Sequence, residues 1–170
     1  LPMVCEDGYV AVVVAGQHAT KRIPASKIVE IGSILHKPII LLGGKDVAAV
    51  GEEIVDELGD RAYNGCGKFS LHQSCYIVKQ ADCVITGDTG LMHVAAAFHK
   101  PTAVIWGNTI PEFGMYPYMP HNRNMFRNFE VCPLICRPCS KLGFKKCPHK
   151  HFKCMNNISA LEVAEWINRF

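Results

Sequence analysis

The sequence has few charged residues and no long hydrophobic run. Charged residues make up 19% of its 170 residues and form no long run of one sign, which argues against a disordered chain. No apolar stretch approaches the length of a membrane-spanning helix. The formal net charge of +3 is too small to indicate a nucleic-acid-binding protein. Hydrophobic residues reach 49%, so the composition predicts one globular domain with a sizeable core.

Several motifs of common enzymes are also missing. No Gly-x-Gly-x-x-Gly follows the first predicted strand, so the usual dinucleotide-binding fingerprint is absent. Gly67-Lys68 is followed by Phe69 and lacks the upstream glycine of a Walker A loop. No Gly-x-Ser-x-Gly nucleophile elbow is present. These absences exclude the usual sequence signatures of dinucleotide-binding enzymes, P-loop NTPases and α/β-hydrolases.

The nine cysteines indicate a reducing compartment. Four of them are scattered through segments with the pattern of core or loop, where a free cysteine behaves as a small hydrophobe: Cys5, Cys66, Cys75 and Cys83. This distribution favours a cytoplasmic protein over a secreted disulfide scaffold. No signal peptide is visible, and because the chain begins at Leu1 without Met we expect a further segment upstream.

Apolar segments alternate with amphipathic ones along the first 107 residues. The segments with a strand pattern are 9–15, 38–42, 61–63, 83–86 and 102–106. Those with helical spacing begin at Pro24 and then cover 47–58, 71–80 and 89–98. This alternation predicts an α/β fold with a Rossmann-like parallel sheet and helices on both faces.

The pattern changes after Gly107. Residues 108–157 are rich in Pro, Cys, Asn and aromatic residues, and we expect long loops with little regular structure there. The chain then closes with a predicted helix over 158–170, in which Ser159 and Glu162 are spaced as a capping box.

Small, basic and hydroxyl residues follow the predicted strands. In an open parallel sheet, ligands bind at the carboxyl ends of the strands. The segment 87–93 is the sharpest element, because the first turn of the helix that starts there has free backbone N–H groups for an anion. Gly90 has no Cβ and allows a diphosphate to approach, and His93 lies about one turn further on. The alternative is that Asp88 or Thr89 only caps the helix and that His93 is an ordinary helix residue.

Two further residues fit a nucleotide site. Lys21 directly precedes a predicted helix start, where its ammonium can neutralise a phosphate, although a solvated loop lysine has the same pattern. Phe69 can stack on a base or can be an ordinary core aromatic. The pattern alone leaves both alternatives open.

The motifs together resemble glycosyltransferase family 9, which includes the ADP-heptose:lipopolysaccharide heptosyltransferases. The resembling segments are KRIP at 21–24, GKFSL at 67–71, DTGLMHVAAA at 88–97 and the segment 100–107, followed by CRPC at 136–139, CP at 147–148 and HFKCM at 151–155. The resemblance implies the GT-B architecture, in which two Rossmann-like domains face each other across a cleft. Residues 1–170 resemble only the carboxyl-terminal, nucleotide-sugar-binding domain, so we expect the amino-terminal acceptor domain to be absent from this chain.

The resemblance also implies roles for individual residues. Lys21 contacts a phosphate of the sugar donor, and Asp88 and His93 shape the sugar–phosphate region. Phe69 lies against the adenine. Backbone N–H groups face the diphosphate from three consecutive residues: Thr89, Gly90 and Leu91. The family often has an acidic residue near position 47 that binds the ribose, and here Asp46 precedes Val47.

The resemblance therefore implies transfer of a heptose or related sugar in lipopolysaccharide core synthesis, with no required cofactor or bound metal. The partners are an ADP-sugar, the missing amino-terminal domain and a lipid-linked saccharide acceptor, at the cytoplasm or peripherally at the inner face of its membrane. The general base belongs to the missing domain, so we expect no catalytic residue here and an inactive isolated chain. The alternatives are a GT-B relative that uses another nucleotide sugar, such as a sugar 2-epimerase, and a non-enzymatic zinc or redox module.

The second alternative depends on the cysteines of the tail. Cys136, Cys139, Cys147 and Cys154 could bind zinc tetrahedrally. A Cys-x2-Cys pair is a fair zinc signal, but the second pair is too widely spaced for a standard zinc ribbon. Thiols that stabilise an irregular loop are the other interpretation. The resemblance favours it, because the resembling enzymes are not known for a metal.

Overall fold

The computed structural model describes Cys5 and residues 7–170. Six strands form one sheet, and every neighbouring pair is parallel. In chain order the strands are β1 (Val10–Val13), β2 (Ile39–Leu42), β3 (Ala62–Asn64), β4 (Cys83–Thr86), β5 (Thr102–Trp106) and β6 (Phe126–Glu130). The helices are α1 (Ala25–Ile34), α2 (Ala48–Leu58), α3 (Leu71–Gln80), α4 (Gly90–Ala97), α5 (Lys153–Asn156) and α6 (Ala160–Ile167).

Helices cover both faces of the sheet because the four central strands are buried on both sides. The strand residues alternate between two apolar clusters, as the period of a strand requires. On one face, Val12 and Leu41 pack with buried residues of α1, α2 and α6. On the other face, Val13 and Ile40 pack with residues of α3 and α4. The predicted α/β fold class is confirmed.

The strand order β3-β2-β1-β4-β5-β6 determines where a ligand can bind. The chain builds the sheet outward from β1 to β3 and then returns to place β4 on the other side of β1. The loops after β1 and β4 therefore run in opposite directions and leave a crevice between them. Such a topological switch point is the usual ligand site of an open α/β sheet.

The region from 108 to 157 contains more regular structure than the sequence predicted. β6 pairs with β5 over five residues, and the indole N–H of Trp106 donates to Asn128 Oδ1 at 2.9 Å. β6 is an edge strand whose residues are mostly half-buried or exposed, so it lacks the apolar run that marked the other strands. The short helix α5 was also not predicted, because four residues are too few for a helical periodicity.

The helix caps agree with the sequence only in part. At α6 the Ser159 hydroxyl accepts from the Glu162 N–H at 3.2 Å, which is one half of the predicted capping box. A complete capping box is found instead at α3, where Ser70 and Gln73 each bond to the other's backbone. In the described residues, no helix is long and apolar enough to cross a membrane.

Candidate nucleotide-binding site

A pocket of about 730 Å³ opens at the switch point between β1 and β4. The loop after β1, the start of α4 and the segment from Phe69 into α3 line it. Seven of the eight predicted site residues line it: Lys21, Phe69, Asp88, Thr89, Gly90, Leu91 and His93. Residues up to 72 positions apart in sequence thus meet in one cavity, as the carboxyl edge of a parallel sheet requires.

Lys21 and Asp88 form an ion pair at the edge of this pocket. The Lys21 Nζ lies 2.6 Å from Asp88 Oδ2, and the two side chains are only 12% and 8% exposed. The Thr109 hydroxyl donates to the same carboxylate oxygen at 3.2 Å. The lysine is therefore not a solvated loop residue: its charge is held in the pocket by a mostly buried carboxylate.

In the part of the chain that the structure describes, no side chain caps α4. Thr89 is the N-cap residue, but its Oγ1 lies 2.9 Å from Thr86 Oγ1 and caps no backbone N–H. Asp88 is engaged by Lys21 and Thr109, so the alternative in which either residue serves as the cap is wrong. The first turn of α4 consequently presents backbone N–H groups with no side-chain cap to the pocket, which is the arrangement that favours an anion.

Two glycines beside this turn serve different purposes. A Cβ on Gly87 would lie 2.7 Å from the carbonyl oxygen of Lys21, so Gly87 allows the Lys21 loop to approach β4. A Cβ on Gly90 would meet no atom of the described residues within 4 Å. Packing therefore explains Gly87 but not Gly90, and the space in front of Gly90 is open.

The wall of the pocket formed by Phe69 and α3 is mainly apolar. Phe69 is half-buried, packs beside Tyr63 with a ring-centroid distance of 6.4 Å, and covers Gly65. Ser74 and Cys75 of α3 also line this wall, and sequence reasoning missed them. It also missed Gly16 and Gln17 of the loop after β1. Ser74 lies on the buried face of α3 with Ile77 and Val78. A helical periodicity that counts apolar residues alone does not include it.

Asp46 does not line the pocket. Its side chain is 63% exposed, and Oδ2 accepts from Arg22 Nη2 at 2.7 Å. The Nε of Arg22 also donates to the Gly16 carbonyl oxygen at 2.7 Å. Asp46 therefore holds a side chain that braces the pocket loop.

Arg137 is a structural residue of the site that the sequence did not reveal. Its side chain is 3% exposed and donates to the carbonyl oxygens of Gly107 at 2.6 Å and Thr109 at 3.0 Å. It also pairs with Glu130 at 2.8 Å. Since Thr109 in turn contacts Asp88, this arginine fixes the far end of the network that holds Lys21.

The tail cysteines are free thiols. Cys139 Sγ donates to the Cys136 carbonyl oxygen at 2.8 Å, and Cys136 Sγ lies 3.9 Å from His151 Nε2. Burial raises the pKa of Cys154 to about 11, with a smaller contribution from the neighbouring thiols, so it remains protonated at neutral pH. Within Cys5 and residues 7–170, no group of three His, Cys, Asp or Glu residues is arranged to hold a metal ion.

Comparison with known proteins identifies the family. The sequence model of glycosyltransferase family 9 (heptosyltransferase) matches residues 3–154. The chain belongs to glycosyltransferase family 9. It is 29% identical over 138 residues to lipooligosaccharide heptosyltransferase 2 of Campylobacter jejuni strain 81116, a match that covers 79% of this chain and 41% of the relative. The Haemophilus influenzae lipooligosaccharide heptosyltransferase 2 is 34% identical over 79 residues, or 44% of this chain and 23% of the relative.

Solved structures of this family share the fold. An Escherichia coli structure described as ADP-heptose lps heptosyltransferase II superposes with a TM-score of 0.75 at 20% identity, over 98% of this chain and 49% of that one. The E. coli heptosyltransferase WaaC with ADP gives a TM-score of 0.69 at 20% identity, over 99% and 46%. The chain thus spans about half the length of these proteins, which confirms the prediction of one Rossmann-like half of a GT-B glycosyltransferase.

Proposed function

We propose that this chain is the carboxyl-terminal, nucleotide-sugar-binding domain of a heptosyltransferase and that the pocket between β1 and β4 binds the ADP part of ADP-heptose. The observation that carries the proposal is the convergence of Lys21 and the start of α4 on one cavity at the switch point. A lysine and a helix N-terminus without a side-chain cap are complementary to a diphosphate. The descriptions of two similar structures, one an ADP-heptose heptosyltransferase and one with ADP, support the choice of ligand.

The phosphate end of the proposed site lies at the start of α4. The backbone N–H groups of Thr89, Gly90 and Leu91 donate to the diphosphate, and Lys21 adds positive charge. When the sugar is transferred, negative charge grows on the nucleoside diphosphate that leaves, and these groups stabilise it. This part of the reaction needs no metal ion, because the helix terminus and the ammonium supply the positive potential.

The base and the sugar occupy the two other parts of the cavity. The apolar wall around Phe69 receives the adenine ring, which can stack on the aromatic side chain. His93 is exposed on the first turn of α4 and lies with Asp88 where the sugar meets the phosphate. We assign no ribose contact to Asp46, because Arg22 holds its carboxylate outside the cavity.

The whole enzyme then transfers a heptose or a related sugar to a lipid-linked saccharide in the synthesis of the lipopolysaccharide core. An amino-terminal domain binds that acceptor and supplies the general base that activates its hydroxyl. The domain described here binds the sugar donor but transfers no sugar on its own. We propose that the enzyme works in the cytoplasm, peripherally at the inner face of the cytoplasmic membrane.

Nucleotide selectivity tests the proposal. We expect isothermal titration calorimetry of the 170-residue chain to show binding of ADP and ADP-heptose, and weaker binding of UDP and GDP, because the base lies in a shaped apolar wall. Equal affinity for the three diphosphates would contradict the choice of ADP and would favour a GT-B relative that uses another nucleotide sugar. Failure of all three to bind would contradict the site itself.

Replacement of Phe69 tests the position of the base. We expect Phe69→Leu to weaken the binding of adenosine and of ADP by the same factor, at least about five-fold. Base–aromatic stacking contributes on the order of 1 kcal/mol or more to binding, and both ligands carry the base. Leucine keeps an apolar side chain against Gly65, so the wall stays packed. Phe98→Leu, at the far end of α4, is the matched control and should leave both affinities unchanged. A loss confined to ADP would place Phe69 near the phosphates instead.

A further inference from the structure

Residues 141–153 form a strongly basic segment. They contain five lysines, two histidines and no acidic residue: Lys141, Lys145, Lys146, His149, Lys150, His151 and Lys153. All five lysines are exposed, and none of them pairs with a carboxylate among the described residues. The formal charge of the whole chain is only +3, so positive charge is concentrated here rather than spread over the surface.

This basic segment is fixed at the edge of the sheet where the nucleotide pocket opens. The Phe144 N–H donates to Thr20 Oγ1 at 2.8 Å, and the Thr20 N–H donates to the Phe144 carbonyl oxygen at 3.2 Å. Gly143, with a φ of +113°, lies so close to His18 that a Cβ would be 2.7 Å from the histidine Cβ. The segment therefore packs on the same β1–α1 loop that carries Lys21.

Two of the lysines line a cleft of their own. Lys146 and Lys150, together with Phe152, border a cleft of about 380 Å³ above Ala19 and Thr20. Lys150 and Phe152 have φ values of 60° and 46°, in the left-handed region that non-glycine residues rarely adopt. Backbone held in this region occurs preferentially at ligand sites, where the surrounding structure imposes it. Among the described residues no carboxylate lines the cleft, so its charge is available to an anion.

Exposed apolar side chains accompany the lysines. Leu142 is 68% exposed between Lys141 and the anchored Gly143, and Phe144 is also exposed beside Lys145. An exposed leucine and phenylalanine make no favourable contact with a small soluble anion. A lipid surface accommodates both groups, because apolar side chains enter the boundary between headgroups and acyl chains while lysines stay at the phosphates.

We propose that the basic segment, with Leu142 and Phe144, is a docking surface for anionic phospholipid headgroups. The phosphates of the lipids meet Lys146 and Lys150 and their neighbours, and the two apolar side chains insert between the headgroups. The proposal deepens the proposed function and rests on it in one respect: docking at this edge would bring the mouth of the nucleotide pocket near a lipid-linked acceptor. The lipid surface itself can be tested without that assumption.

Vesicle co-sedimentation of the 170-residue chain tests the docking surface. We expect binding to phosphatidylcholine vesicles that contain phosphatidylglycerol, little binding to phosphatidylcholine alone, and a loss of binding in high salt. Lys146→Gln combined with Lys150→Gln should reduce partitioning by roughly ten-fold or more, because each lysine near an anionic surface contributes about five-fold. Leu142→Ser should also reduce it without changing the charge.

The matched control removes the same charge elsewhere. Lys79→Gln combined with Lys100→Gln changes two lysines near the amino-terminal edge of the sheet and should leave partitioning unchanged. An equal loss in this control, equal binding to both vesicles, or displacement by inorganic phosphate but not by potassium chloride of the same ionic strength would overturn the proposal. ADP calorimetry on the same variants separates the two hypotheses: unchanged ADP binding is expected, and failure of the parent chain to bind ADP while it binds vesicles would contradict only the proposed function.

Discussion

Gly90→Val should abolish ADP binding and leave the domain folded. The first turn of α4 has no side-chain cap, and its backbone N–H groups are the proposed diphosphate ligands. A valine at position 90 places a branched side chain in the open space where the diphosphate approaches. Loss of two charge-assisted hydrogen bonds, each contributing about 1.5–3 kcal/mol, corresponds to at least roughly a hundred-fold weaker binding in calorimetry.

The structure explains why the fold should tolerate this change. A Cβ on Gly90 would meet no atom within 4 Å in Cys5 and residues 7–170, and the φ of Gly90 lies outside the left-handed region. Gly90→Ala should have a smaller effect on affinity, because a single methyl group only crowds the approach. Ala160→Val, at the first residue of α6, controls for a β-branched residue at a helix start. If Gly90→Val keeps its circular dichroism spectrum and still binds ADP as the parent does, the diphosphate does not lie at α4.

Much of the fold was predictable from the sequence because its central strands are buried on both faces. Such strands are short apolar runs bounded by polar residues, and α3, β4 and β5 begin and end where the pattern predicted. β6 was missed because an edge strand half-exposed to solvent has no such run. The sequence therefore revealed elements that are buried or amphipathic, whereas pairing along one edge of the sheet depends on the rest of the fold.

The site was predictable to the extent that topology alone determines it. All strands of a parallel sheet end at the same edge, so residues that follow the strands could be expected to lie near one another there. The pairing of Lys21 with Asp88 could not be predicted, because the residues are 67 positions apart and nothing local links them. The same pairing engages Asp88 elsewhere and so excludes the alternative in which Asp88 only caps the helix. The role of Arg137 could not be predicted either, although the residue lies in the CRPC segment, since it depends on carbonyl groups that the loops after β5 and β6 present to it.

Lys21→Ala should weaken the binding of ADP at least about ten-fold and change the binding of adenosine little. One charge-assisted contact to a phosphate contributes roughly 1.5–3 kcal/mol to binding. Adenosine has no phosphate, so it does not make this contact and does not lose it in the variant. Parallel calorimetric titrations of the two ligands measure the difference directly. Lys79→Ala, at the far end of α3, is the matched control and should bind both ligands like the parent. Equal weakening of both ligands would mean that Lys21 supports the shape of the pocket rather than the phosphate.

Because Lys21 forms an ion pair with Asp88, Lys21→Ala should also lower the stability of the domain. Asp88 is 8% exposed, and without the ammonium the Thr109 hydroxyl is the one side-chain partner left to its carboxylate within the described residues. We expect the free energy of unfolding, measured with urea, to fall by roughly 1–3 kcal/mol, because a mostly buried charged group loses its partner. Asp88→Asn in the same chain removes that unpaired charge and should restore most of the stability.

The double variant separates the two roles of the lysine. Lys21→Ala with Asp88→Asn, compared with Asp88→Asn alone, differs only in the ammonium that faces the ligand. We expect the double variant to be nearly as stable as the single one and still to bind ADP about ten-fold more weakly, because the charge opposite the diphosphate is missing. If the ADP affinities of these two variants are equal, the charge of Lys21 serves only to neutralise Asp88, and the phosphate is held by α4 without it.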